Sequence, residues 1–200
     1  MSGSDPDGDA RQIIPLLGEI LDEGPWPMPA EGESAPDTAA MADAFRSAMR
    51  RLAAGVCAVT VRHRGEIYGL TATSVTSLSL SPPSLLTSIR STSMLLDVLR
   101  KEKRFTVHVL GEDQVHEANA LAGRLDQGSR RSRSELVEWE ESGTVNQRLM
   151  GATCHIDCTV KKLMPIFSHI VTVGVVERVD FGETDRPLIY FDGTFHRIDP

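Results

Sequence analysis

Residues 69–83 read GLTATSVTSLSLSPP. Seven hydroxyl side chains (Thr71, Thr73, Ser74, Thr76, Ser77, Ser79 and Ser81) are spaced among Leu70, Ala72, Val75, Leu78 and Leu80, and no charge interrupts them. Near-alternation of this kind marks β-structure. A strand facing water ordinarily carries Lys, Glu or Arg. The charge-free run therefore implies that its polar atoms face something else, and hydroxyls beside free backbone N–H groups suit an anion such as phosphate. A packing role for a Thr-rich strand is the competing reading. Pro82 and Pro83 cannot donate to a ladder and are read as a break between strands.

The chain around this run is rich in strands. Segments 55–61 and 67–73, separated by His63-Arg64-Gly65-Glu66, predict a hairpin, and 75–80 and 85–89 predict two further strands. Ser93 caps a short helix through Leu95, Leu96, Val98 and Leu99. A strand at 105–110 precedes a helix over 112–125 carrying Ala118, Leu121, Ala122 and Leu125. Strands follow at 152–163, 169–179, 188–191 and 194–198, with Asp192-Gly193 as a turn. Upstream, Phe45, Ala48, Met49 and Leu52 fall at helical spacing, with Gly55 as the stop. No G-x-G-x-x-G follows a strand, and strands and helices do not alternate as in a doubly wound sheet. The expected fold is mainly β: a closed or partly open antiparallel barrel, Greek-key-like, with inserted helices.

Two hundred residues with 40% hydrophobic content suffice for one sizeable core. The net charge of −7 is uneven: residues 1–40 carry nine acids against Arg11, so the remainder sums to +1. Residues 1–40 read as a flexible acidic extension, with a short amphipathic helix at 13–22 formed by Ile13, Leu16, Leu17, Ile20 and Leu21; residues 41–200 read as the folded domain. A near-neutral body has no basic field for a nucleic acid, so none is expected as a partner. Three cysteines, no basic-plus-apolar leader and no apolar run near twenty residues point to the cytoplasm and away from a membrane. Cys154-His155-Ile156-Asp157-Cys158 resembles a ligand cluster, but strand alternation sends His155 and Asp157 to one face and both cysteines to the other. Core cysteines are expected there, and no metal site. The clustered Arg130, Arg131 and Arg133 read as a solvated loop, with a 2′-phosphate contact as the functional alternative.

No H-E-x-x-H, G-x-S-x-G or P-loop is present, so the chain either binds passively or takes its chemistry from a cofactor. The segments FRSAMRRLAAG (45–55), GLTATSVTSLSLSPP (69–83), FTVHVL (105–110) and ALAGR (120–124) resemble the short-chain flavin reductases of two-component monooxygenases. The likeness continues in His169 five residues before Gly174, and in Pro187-Leu188-Ile189-Tyr190 followed by Gly193 and His196. That family has an FMN-binding split barrel and passes hydride from NADH or NADPH to FMN or FAD for a separate monooxygenase.

The resemblance implies that Thr71, Ala72, Thr73, Ser74 and Ser77 line the flavin, and that Ser91, Thr92 and Ser93 meet its phosphate. It implies a cationic contact from Arg124, with Leu125 standing where the family usually has Phe. His169, Tyr190 and His196 are implied on the nicotinamide side, His169 as the catalytic residue, although Phe167-Ser168 replaces the family's Gly-Asp before it. It also implies a homodimer. A module that holds its flavin without free turnover, or a pure interaction protein, are the competing readings.

Overall fold

The computed structural model describes residues 38–125, 133–140 and 147–198. The proposed helix at 13–22, together with Arg130 and Arg131, lies outside them. Helix α1 (Thr38–Arg50) ends five residues before Gly55, which belongs instead to strand β1 (Ala54–Gly55). The carbonyl of Arg50 accepts the Asp192 N–H, tying the end of this helix to the C-terminal hairpin.

The main sheet is antiparallel and seven-stranded, in the order β3-β2-β6-β9-β10-β5-β4. Its members are β2 (Cys57–His63), β3 (Glu66–Ala72), β4 (Thr76–Leu80), β5 (Pro83–Arg90), β6 (Arg104–Val109), β9 (Cys154–Ile166) and β10 (His169–Phe181). The β2–β3 hairpin turns on Arg64 and Gly65, both at positive φ, the backbone that a tight two-residue hairpin requires. Pro83 does not lie between strands: it opens β5 opposite Leu80, where its missing N–H removes no ladder bond at an end. The chain continues directly from β3 to β4, yet these are the two outer strands of the sheet. The sheet is therefore curled but not closed, and residues 73–75 run from one edge to the other.

Two cores sit on its two faces. Inside the curl, Val59, Val61, Phe105, Val107, Leu85, Ile89 and Cys158 meet helix α2 (Met94–Glu102), whose Leu95, Leu96, Val98 and Leu99 are buried. Ser93 caps α2 as the sequence predicts, its Oγ accepting the Leu95 N–H at 3.3 Å, and Lys103 closes it in the left-handed region. Gly174 in β10 has no side chain because Phe105 fills its place: a Cβ there would lie 2.5 Å from the ring.

On the outer face, Val56, Ala58 and Leu110 pack under helix α3 (Val115–Leu121) and beside the hairpin of β7 (Trp139–Glu140) and β8 (Arg148–Leu149). The helix expected over 112–125 is thus shorter, since Gly123 at φ +70° ends it before the apolar spacing does. A small sheet of β1, β11 (Ile189–Phe191) and β12 (Thr194–His196) completes this side. Val56 N–H donates to Leu188 and Leu110 N–H to Val56, joining this small sheet to the main one.

Candidate functional site

Thr71 and Thr73 leave the end of β3 and meet Arg124, just past α3, and Tyr190 on β11 around a cavity of about 140 Å³. Val56, Ala122 and Phe195 complete the lining. The Thr71 hydroxyl donates to the Ala118 carbonyl at 2.6 Å, which fixes α3 against the strand and leaves the hydroxyl oxygen as an acceptor. The Arg124 guanidinium lies 5.8 Å from the Tyr190 ring centroid and 5.9 Å from that of Phe195. The two rings meet edge to face at 5.4 Å. The result is a cation held on an aromatic wall opposite two hydroxyls. Phe195 escapes a reading of the sequence alone, although the Asp192-Gly193 turn places it opposite Tyr190.

A second cluster forms where β5 ends and β10 begins. Ser91 N–H donates to the Ser168 carbonyl at 2.9 Å, and Ser168 Oγ lies 2.9 Å from His169 Nδ1. Ser91 and Thr92 are exposed, and Ser93 caps α2, so exposed hydroxyls and the positive end of a helix face the same rim. His169 pairs with Arg90 across the ladder. Between the two clusters runs the 73–75 crossing. Ser74 Oγ accepts the Ser88 N–H at 3.1 Å and donates to the Ser88 carbonyl at 3.1 Å, so this hydroxyl stitches the crossing onto β5.

The remaining residues that the sequence singles out are placed differently. Ala72 is buried in the inner core, Leu125 packs on the outer core, and Ser77 lies on the exposed strand β4. Nε2 of His196 lies 2.7 Å from the Thr194 hydroxyl and 3.1 Å from the Phe191 carbonyl, which occupies that nitrogen within its own hairpin. Tyr190 sits with Thr71, Thr73 and Arg124 rather than with His169.

A larger cleft, about 870 Å³, lies elsewhere, over the outer face of β9 and β10. The Arg148 guanidinium makes a two-pronged pair with Asp157 at 2.8 and 2.9 Å and also bonds Asp180, while Thr106 donates to Asp157 at 2.6 Å. Beside it, His108 Nδ1 and His155 Nδ1 are 2.8 Å apart, and His108 Nε2 is 2.8 Å from Thr60 Oγ1. One ring must donate and the other accept, so the two cannot both be protonated. Burial holds His108 well below the ordinary imidazole range, reinforced by His155 and Arg148. Burial and then Arg148 lower His155 to about 4.

This network answers its own charges, so its geometry is that of a support and the smaller cavity is the better candidate site. The face split expected at 154–158 is observed: His155 and Asp157 join this network, while Cys158 enters the inner core, where burial pushes its thiol up to about 12. Among the described residues no group of three or more His, Cys, Asp or Glu is arranged to hold a metal ion, and no helix is long and apolar enough to cross a membrane.

The unclosed antiparallel barrel thus carries two clusters, the aromatic-backed cation with its two hydroxyls and the rim at the capped start of α2. A family model described as "Flavin reductase like domain" matches residues 49–199, and the chain belongs to that family. The reductase component of 4-hydroxyphenylacetate 3-monooxygenase from Thermus thermophilus is 35% identical over 158 residues, covering 79% of this chain and 97% of that protein. An NADH:FMN oxidoreductase of Rhodococcus qingshengii is 34% identical over 160 residues, covering 78% and 81% respectively. Among solved structures, the flavin reductase PheA2 in its native state superposes with a TM-score of 0.70 at 28% identity, covering 79% of this chain and 98% of that one.

Proposed function

We propose that this protein is an NADH-dependent flavin reductase that reduces FMN or FAD and supplies the reduced flavin to a partner monooxygenase. The observation that carries this is the meeting of Thr71, Thr73, Arg124 and Tyr190 around one cavity, in a chain of the flavin reductase-like family. When bound, the flavin supplies the acceptor for the two electrons and hydride that NADH gives up.

The residues fit such a group. Thr71 and Thr73 offer hydroxyl oxygens to polar ring edges or a ribityl chain, and Arg124 offers a positive charge to an anion. Ser91, Thr92 and Ser93 offer hydroxyls, and Thr92 its N–H, to a phosphate at the start of α2. His169, oriented by Ser168 Oγ, holds the nicotinamide; positioning is its task, because hydride transfer demands alignment of two rings more than a proton. Ala72 contributes backbone alone.

The same reading extends to assembly. Strand β4 is an outer strand with no charge, and Leu78 and Leu80 are exposed on it. Bare apolar edges invite pairing, so a second copy of the chain covers β4 in a homodimer. Its free cysteines suit a reducing compartment, in keeping with a cytoplasmic location. Leu80→Lys then yields a monomer by size-exclusion chromatography; an unchanged mass refutes this interface.

Flavin binding tests the site. Titration with FMN, followed by quenching of flavin fluorescence, should weaken about ten-fold in Arg124→Ala, a loss of about 1.4 kcal/mol consistent with a desolvated cation contact. His169→Ala should leave flavin affinity intact and raise KM for NADH. Unchanged FMN affinity in both Arg124→Ala and Thr73→Val would remove the cavity from the reading.

A further inference from the structure

Phe167 is the first residue of the turn between β9 and β10, and its φ is +50°. Left-handed backbone sets Cβ against a carbonyl; Gly, Asn and Asp visit it, whereas a bulky aromatic there is an outlier. Burial does not compensate. Phe167 is 91% exposed, the barest large apolar side chain among the described residues. A two-residue turn built from Asn-Gly would avoid both the strain and the exposure. Strain of this kind persists where the surroundings over-determine it and gathers at functional positions.

The surroundings here are specific. Ser168, the next residue, is tied through its carbonyl to Ser91 N–H and through Oγ to His169. Met94, the first residue of α2, is 72% exposed beside the capping Ser93. One rim therefore carries a bare aromatic ring and a bare thioether next to exposed Ser91 and Thr92 and to His169. Flat apolar surface beside hydroxyl and N–H donors is the chemistry that receives a nucleotide: the base stacks and the phosphates bond.

We propose that Phe167 is a specificity-determining residue whose ring stacks on the adenine of NADH, beyond the nicotinamide held at His169. The inference rests on the reductase reading and deepens it. Adenine rather than nicotinamide follows from exposure. Hydride transfer needs a site closed to water, which a ring this open cannot provide, whereas the far base of a dinucleotide gains from stacking even at a wet rim. Phe167 also stands two residues before His169, at the hairpin tip.

The test compares NADH with reduced nicotinamide mononucleotide, which lacks the adenylate, on the full chain at saturating flavin. Phe167→Leu and Phe167→Gly should raise KM for NADH about ten-fold at unchanged kcat, the scale of one base stacked on an aromatic ring. Phe167→Trp should retain the wild-type KM, and the mononucleotide should not distinguish any variant from wild type. Phe167→Gly should also raise Tm by relieving the backbone, so lost affinity cannot be ascribed to misfolding.

An unchanged KM for NADH in Phe167→Leu overturns the proposal. So does an equal rise for both substrates, a rise in flavin Kd instead, or a fall in oligomeric mass that would place the ring in a subunit contact. Wild-type protein without NADH turnover sinks the reductase reading and this inference with it. Wild-type turnover with unaffected variants sinks this inference alone.

Discussion

Acidification should destabilise this protein above the range where carboxylates titrate, because two imidazoles are buried neutral. His155 titrates at about 4 in the folded chain, against an ordinary value near 6.5. Between these values the unfolded chain binds a proton that the folded chain does not, so stability falls as pH falls. Lowering the pH from 7.5 to 5 should therefore cost about 2 kcal/mol through His155. His108 is wholly buried and lowered for the same reason, so it adds a loss of the same sign.

Asp180 does not confuse this window. Asp180 is desolvated, which raises its pKa, but its hydrogen bonds to Arg178 and Arg148 bring the net shift below the usual value. Its contribution is present above the unfolded carboxyl value and is lost only below about pH 4. Urea unfolding at pH 7.5, 6.5 and 5, followed by far-UV circular dichroism, reads the effect directly. Trp139, whose ring centroid lies 5.8 Å from that of His108, gives a second signal in a Trp26→Phe background. His155→Asn should be less stable at pH 7.5, because it takes the partner from His108 Nδ1, yet its pH-dependent loss should shrink by about 2 kcal/mol. Flat stability from pH 7.5 to 5 in the wild type, or an unchanged slope in His155→Asn, would refute the neutral buried pair.

Three further substitutions probe the frame. Gly174→Ala should destabilise by about 1–3 kcal/mol, the range for overpacking, because Phe105 occupies the space of its Cβ; a chemical-denaturation midpoint equal to wild type would show that the ring moves freely. Thr172 Oγ1 is buried with no hydrogen-bond partner among the described residues. Thr172→Val should accordingly be neutral or stabilising by about 1 kcal/mol, and a clear fall in Tm would reveal a partner. Ser93→Ala should lose about 1 kcal/mol with the α2 cap and weaken FMN more than riboflavin, which lacks the phosphate; equal weakening of both would leave Ser93 a cap alone.

Strand types, the Ser93 cap and the two-faced 154–158 segment are legible in the sequence because each depends on spacing within a few residues. Which strands pair beyond the hairpin neighbours β2–β3 and β11–β12 is not, and the run 69–83 illustrates this. Its alternation predicts two strands, 67–73 and 75–80, but not that they are the opposite outer strands of one sheet, β3 and β4, joined by a crossing held through Ser74. Charge is absent for two different reasons: Thr71 and Thr73 face a cavity, while Leu78 and Leu80 form an uncovered edge. The His108–His155 contact is similarly hidden, since it depends on β6 lying against β9, 47 residues apart in sequence. Only the weaker sign of polar residues alternating with buried ones on β2, β6 and β9 points to it. Leu125 and Phe167 were visible as departures from the family pattern, but the positive φ that makes Phe167 informative required the backbone.

The central claim is that this chain reduces free flavin with NADH. Purified full-length protein, incubated anaerobically with excess NADH, should oxidise it only when FMN or FAD is added, through many turnovers per protein molecule, with flavin bleaching in step. NADH consumed no faster than in protein-free flavin, or a single stoichiometric turnover with flavin retained on the protein, would contradict the account.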